Sequence, residues 1–198
     1  MEREVIFTGI GGQGIQLIAN VLARAAAKEG KEVMLFGVYE GMMRGGSSES
    51  TVVIGDDVIQ APPIIPFTWS VLAMHSVALE AIARKLRPGG VLVVNSTLIA
   101  SVPRHDVQVV EVPATKLAEQ AGNLMGAGMI ALAAFCAVTQ LVGHGALVQA
   151  MHDSLPSHRK HHAERNVAFL EAGRSFAQTL DPSALAHLQN TLTPGSPH

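Results

Sequence analysis

Val5-Ile6-Phe7-Thr8-Gly9-Ile10-Gly11-Gly12-Gln13-Gly14-Ile15-Gln16-Leu17-Ile18 is a β-rich run, a glycine cluster and the start of a helix, in that order. Val5–Thr8 has the short apolar character of a buried strand. From Ile15 the apolar residues Ile18, Leu22 and Ala26 recur every three or four positions, the stripe of a packed helix. Gly30 follows the last turn of that stripe, where a left-handed cap is expected. Glu32–Phe36 then reads as a second strand, so residues 5–36 are expected to form one βαβ unit.

The same alternation continues outward. Thr51–Ile54, Trp69–Ala73, Val91–Asn95 and Val107–Val112 read as further strands, with Asp56-Asp57 as a turn. A helix is expected near Val77–Leu86, closed by the turn Arg87-Pro88-Gly89-Gly90. After Pro113 the pattern turns helical, over Thr115–Ala121, Gly128–Val142, Ala146–Ser154 and His158–Leu180. The expected fold class is therefore α/β: a doubly wound, mostly parallel, Rossmann-like sheet with a helical C-terminal third. Residues 1–180 read as one domain and 181–198 as a tail with three prolines.

Composition limits what such a domain does. Of 198 residues, 15% are charged, against roughly 25% in a typical soluble domain, and 48% are hydrophobic. That balance suits a chain whose apolar excess meets another chain. Aromatics at 4% and a net charge of −2 argue against a nucleic-acid partner. The lone Cys136 holds neither a disulfide framework nor an all-thiolate cluster, and suits a reducing cytoplasm. No secretory signal is expected from Met1-Glu2-Arg3-Glu4 followed by Val5–Ile10. Leu124–Gly143 carries no charge over twenty residues, but glycines interrupt it and Lys/Arg flanks are missing. A helix buried on all sides is expected there, and no membrane span.

Two loops carry the candidate chemistry. Gly11, Gly12 and Gly14 sit between strand and helix, where backbone N–H groups can approach an anion at the helix N-terminus. A structural tight turn explains the same glycines. Met43, Arg44, Gly45, Gly46 and Ser47 form the second candidate, an arginine fork among small residues, suited to phosphate. Arg44 pairing with Glu40 or Glu49 to order the loop is the alternative. In a doubly wound fold both loops lie beyond the carboxyl ends of strands, where ligands bind.

A nicotinamide dinucleotide would want an acidic residue closing the second strand, and Leu35-Phe36-Gly37 stands there. His152, His158, His161 and His162 lie among Arg159, Lys160 and Arg165, which suits a solvated face rather than a metal site. His75 is expected to serve a hydrogen bond and Cys136 to be an inert core thiol. No acid–base pair is legible, so no catalytic residue and no metal ligand is assigned.

The combination of Gly9–Gly14, Tyr39-Glu40-Gly41, Arg44-Gly45-Gly46-Ser47 and Val52–Ile54 resembles the gamma subunit, or gamma domain, of 2-oxoacid:ferredoxin oxidoreductases. Arg87-Pro88-Gly89-Gly90, Val112-Pro113-Ala114-Thr115, Gly122-Asn123 and Asn166-Val167-Ala168-Phe169 with Gly173 extend the likeness over about residues 3–175. The resemblance implies a non-catalytic subunit of an enzyme that oxidatively decarboxylates a 2-oxoacid to an acyl-CoA. It implies thiamine-binding alpha/beta subunits and a ferredoxin-like cluster subunit as partners. Thiamine diphosphate, magnesium and iron–sulfur clusters would belong to those partners, with no cofactor held by this chain alone. Coenzyme A would be a shared substrate, its phosphates meeting the two loops. The family pattern shows asparagine before a Met-containing helix, where this chain has Gly126-Ala127-Gly128-Met129. A free-standing Rossmann-like dehydrogenase and a ligand-free scaffold subunit are the alternatives.

Overall fold

The computed structural model of the chain describes residues 1–39, 46–60, 65–155 and 163–181. Six strands make one sheet: β1 (Glu2–Ile10), β2 (Glu32–Tyr39), β3 (Ser47–Gly55), β4 (Thr68–Ala73), β5 (Leu86–Asn95) and β6 (Gln108–Val112). Their order is β2-β3-β1-β4-β5-β6. β1, β4, β5 and β6 run parallel to one another, whereas β3 is antiparallel to both β1 and β2. The sheet is thus mixed, with its parallel part intact.

Side chains alternate across the sheet, and here both faces are buried. Val5 and Phe7 join the larger core, with Val52, Leu72 and Val93. Ile6 joins the smaller one, with Val71, Ala73 and Leu92. The larger face is covered by α1 (Ile15–Lys28), α3 (Ala114–Gln120), α4 (Ala127–Thr139), α5 (His144–Ser154) and α6 (Ala163–Gln178). Among the described residues, α2 (Leu79–Ala83) and the chain around Ile99, Val102 and Val107 cover the other.

The expected βαβ unit needs a correction. β1 and β2 are joined through α1, but β3 lies between them, because β3 folds back on β2 and pairs along nine residues of β1. Gly30 does cap α1: with φ 77°, its N–H reaches the Ala27 carbonyl and Lys31 N–H reaches Ala26, a paired-bond stop.

α2 is shorter than its periodicity implies. Ala78 sits at φ 62° just ahead of it, and Lys85 already offers its carbonyl to Thr68 N–H at 2.8 Å, so sheet pairing takes over. The residues Arg87-Pro88-Gly89-Gly90 belong to β5 itself rather than to a separate turn. Pairing jumps from Thr68–Leu86 to Ser70–Val91, and the four residues bulge out between. Glu4, 5% exposed, fills that bulge by accepting from Trp69 N–H (3.1 Å) and from Arg87 (2.8 Å).

The uncharged stretch 124–143 is a short 3₁₀ turn at Leu124–Gly126 followed by α4. Every α4 residue but Ala137 is buried, as expected, and Gln140 at φ 52° ends the helix. No described helix is long and apolar enough to cross a membrane.

Candidate functional site

The carboxyl ends of β1, β4 and β5 and the chain leaving β6 converge on one edge of the sheet. Gly12 (φ 97°) and Gly14 (φ 74°) carry the chain from β1 into α1 through conformations that disfavour other residues. Gly9 is needed for a different reason. A β-carbon there would lie 2.5 Å from Gln13 Oε1 and 2.8 Å from Ile15. That space lets Gln13 fold back, accepting from Ile10 N–H (2.9 Å) and donating to the Met74 carbonyl (3.3 Å). The first turn of α1 holds no acidic residue, and no side chain caps it. Its N–H groups therefore present the positive end of the helix dipole.

The two candidate loops do meet. Gly11 N–H donates to the Gly46 carbonyl at 3.0 Å, and Ile10 pairs with Ser47 at the start of β3. Gln16, in the first turn of α1, donates to the Glu49 carbonyl at 3.1 Å and holds the corner. Gly11, Gly12, Gly14, Gly46 and Ser47 thus share one corner of the edge, while Met43, Arg44 and Gly45 lie outside the described residues. Glu49, the offered partner of Arg44, has Lys85 at 3.6 Å.

Beside the glycine loop opens a cavity of about 190 Å³, lined by Gly12, Gln13, Met74, Leu98, Thr115 and Met125, among others. Leu98, Leu124 and Met125 around its mouth are 42%, 59% and 72% exposed. Asn95, buried at the end of β5, ties two lining residues together by donating to Met74 O (3.3 Å) and Thr115 Oγ1 (2.8 Å). Gly128 packs α4 against the loop from below. A β-carbon there would stand 3.1 Å from the Gln13 carbonyl and 3.2 Å from Ile18. A larger cavity, about 340 Å³, lies away from this edge, between α4, α5 and α6.

A family model described as pyruvate ferredoxin/flavodoxin oxidoreductase matches residues 4–176. The chain belongs to that family. It is 31% identical over 184 residues to the 2-oxoglutarate synthase subunit KorC of Methanocaldococcus jannaschii, covering 91% of this chain and 96% of KorC. The gamma subunit of a keto/oxoacid ferredoxin oxidoreductase from Geobacter sulfurreducens superposes with a TM-score of 0.78 at 28% identity, covering 90% and 97%. The chain is a gamma-type member. The 2-oxoglutarate:ferredoxin oxidoreductase of Magnetococcus marinus shares the fold, with a TM-score of 0.79 at 19% identity. There the match takes in 91% of this chain and 32% of the longer one.

Within this gamma-type chain the remaining candidates fall into place. His75 follows β4, and its Nδ1 accepts from Val77 N–H at 3.2 Å, a local turn contact. Cys136 is buried in α4, and burial pushes its thiol well above the usual range. His152 lies in the last turn of α5, whereas His158, His161 and His162 lie outside the described residues. Among the described residues no three His, Cys, Asp or Glu side chains come together as a metal site.

Sequence reasoning missed Gln13, Asn95, Thr115 and the Met74 carbonyl. The signal for Asn95 was present, as a lone amide closing the apolar run Val91–Val94. Gln13 stood in the motif but was read as a spacer between glycines.

Proposed function

We propose that this edge holds the phosphates of coenzyme A within an assembly that oxidatively decarboxylates a 2-oxoacid to an acyl-CoA. In this reading the glycine loop offers backbone N–H groups, and the segment Met43 to Ser47 meets the same phosphates, with Arg44 as the forked cation. The observation that carries it is the 3.0 Å bond from Gly11 to Gly46, which joins both loops at the uncapped start of α1. The Magnetococcus marinus enzyme is described with 2-oxoglutarate, coenzyme A and succinyl-CoA bound, which favours the same ligand.

A dinucleotide fits this edge less well. Such ligands reach an acidic residue at the end of the strand next to β1, and here β3 occupies that place. β2, one strand farther out, ends at Tyr39, and Glu40, next in sequence, lies outside the described residues.

This chain binds and orients; the carbon chemistry belongs elsewhere. Thiamine diphosphate, magnesium and iron–sulfur clusters are assigned to thiamine-binding and ferredoxin-like partner subunits. One buried thiol cannot hold a cluster, and it accords with a reducing, cytoplasmic setting. Thiamine sites in this enzyme class usually carry a Gly-Asp-Gly run, which this sequence lacks.

Titrating the reconstituted complex with CoA tests the reading. Arg44→Ala should weaken apparent affinity roughly 10- to 150-fold, the weight of a charge-assisted contact. Arg44→Lys should recover part of that loss, because a point charge cannot replace the fork. Unchanged CoA dependence in a fully assembled Arg44→Ala complex would remove Arg44 from the site.

A further inference from the structure

Hydrogen-bond accounting at the 190 Å³ cavity leaves two protons unclaimed. The buried amide of Asn95 is fully engaged: Oδ1 accepts from Thr115 N–H at 3.2 Å, and Nδ2 donates to Met74 O and to Thr115 Oγ1. An amide nitrogen only donates, so Thr115 Oγ1 accepts in that bond and its own proton must turn elsewhere. Among the described residues nothing accepts it. Gln13 repeats the pattern. Its Oε1 takes the Ile10 N–H and one Nε2 proton goes to Met74 O, leaving the second free. The Met74 carbonyl, with a donor on each side, is already satisfied.

The rest of the lining is glycine, alanine and the apolar chains Met74, Leu98, Leu124 and Met125, and among the described residues no charged side chain lines the cavity. Two spare donors with no cation among the described lining suit a neutral carbonyl oxygen better than a carboxylate. The volume admits a slender chain and not a whole nucleotide.

We propose that Thr115 Oγ–H, seconded by Gln13 Nε2–H, binds a carbonyl oxygen on the uncharged, amide- or acyl-bearing arm of the same ligand whose anionic end rests at the start of α1. Thr115 thereby sets specificity, separating an arm that carries a carbonyl from a plain hydrocarbon one. The inference rests on the CoA reading above and adds to it a residue and a contact.

The test uses the reconstituted complex and three probes: CoA, pantetheine (the arm without the nucleotide) and 3′,5′-ADP (the phosphates without the arm). Thr115→Val should weaken CoA and pantetheine about 3- to 10-fold, the weight of one neutral hydrogen bond, and leave 3′,5′-ADP unchanged. Thr115→Ser should bind all three as the parent does. Equal weakening of all three probes would show that Thr115 only supports Asn95, and would overturn the proposal. So would unchanged pantetheine binding in Thr115→Val. A parent complex that binds pantetheine but not 3′,5′-ADP would overturn the phosphate reading and leave this one standing; the converse would do the opposite.

Discussion

Met74 contributes a backbone carbonyl, not side-chain chemistry, to the candidate site, yet two side-chain amides, Gln13 from the glycine loop and Asn95 from the end of β5, converge on that oxygen. Such contacts are invisible in a sequence. Gly9, Gly12 and Gly14 were legible because each has a local reason, a close approach at Gly9 and a positive φ at the other two, that other residues meet poorly. The roles of Gln13 and Asn95 were not, because both depend on where β4 ends relative to β1 and β5. Gly128 shows the same limit: a β-carbon there would stand 3.1 Å from the Gln13 carbonyl, an approach that no local pattern announces. Cys136 was readable from its apolar helix, and a residue-scale prediction follows from its burial. The thiolate is the reactive form, and burial holds the thiol protonated far above neutral pH. A water-soluble disulfide reagent should therefore leave the native chain unlabelled at pH 7 and pH 9, and label one thiol after denaturation. Fast stoichiometric labelling of native protein at pH 9 would contradict the packing of α4.

At the scale of elements, strands and helices were found wherever a run had one period and clear punctuation. Partner choice was not, since alternation records which faces are buried and not which neighbour a strand pairs with. The antiparallel insertion of β3 is the chief example, and the absorption of Arg87–Gly90 into β5 is another. The pairing of α4 with α6 is equally non-local and rests on glycine. A β-carbon at Gly173 would come within 2.1 Å of the Ile130 carbonyl, so the two helices approach backbone to backbone. Gly173→Ala should cost at least about 1–3 kcal/mol, because neither helix can move without opening the larger core. Gly145, in the first turn of α5, faces open space, and Gly145→Ala should instead stabilise by roughly 0.5–1 kcal/mol. Urea denaturation of both variants checks the contrast; equal effects would show that the close approach is not what the glycine serves.

For the whole molecule, low charge pointed to a subunit before any strand was placed, and the structure shows where part of that apolar excess lies. Leu98, Leu124 and Met125 stand exposed around the mouth of the candidate cavity, with Val77 also exposed after β4. Apolar groups gathered at one edge are an interface in waiting. Leu124→Glu with Met125→Glu should keep the isolated chain folded, raise its solubility and block its incorporation into the complex. Circular dichroism and size-exclusion chromatography of the mixed subunits read the three effects separately. Normal incorporation of the double variant would move the interface elsewhere.

The insertion of β3 between β1 and β2 also bears on the order in which the protein can come into being. All strand partners of β2 and β3 lie within residues 2–55, and α1 crosses the same segment. A nascent chain of that length therefore already owns a complete three-stranded antiparallel sheet with its helix. The parallel pairing of β1 with β4 has to wait for Thr68 onward, and α5, which packs on α1, is synthesised much later. During that interval the face of α1 that meets α5 in the finished fold has no cover from its own chain.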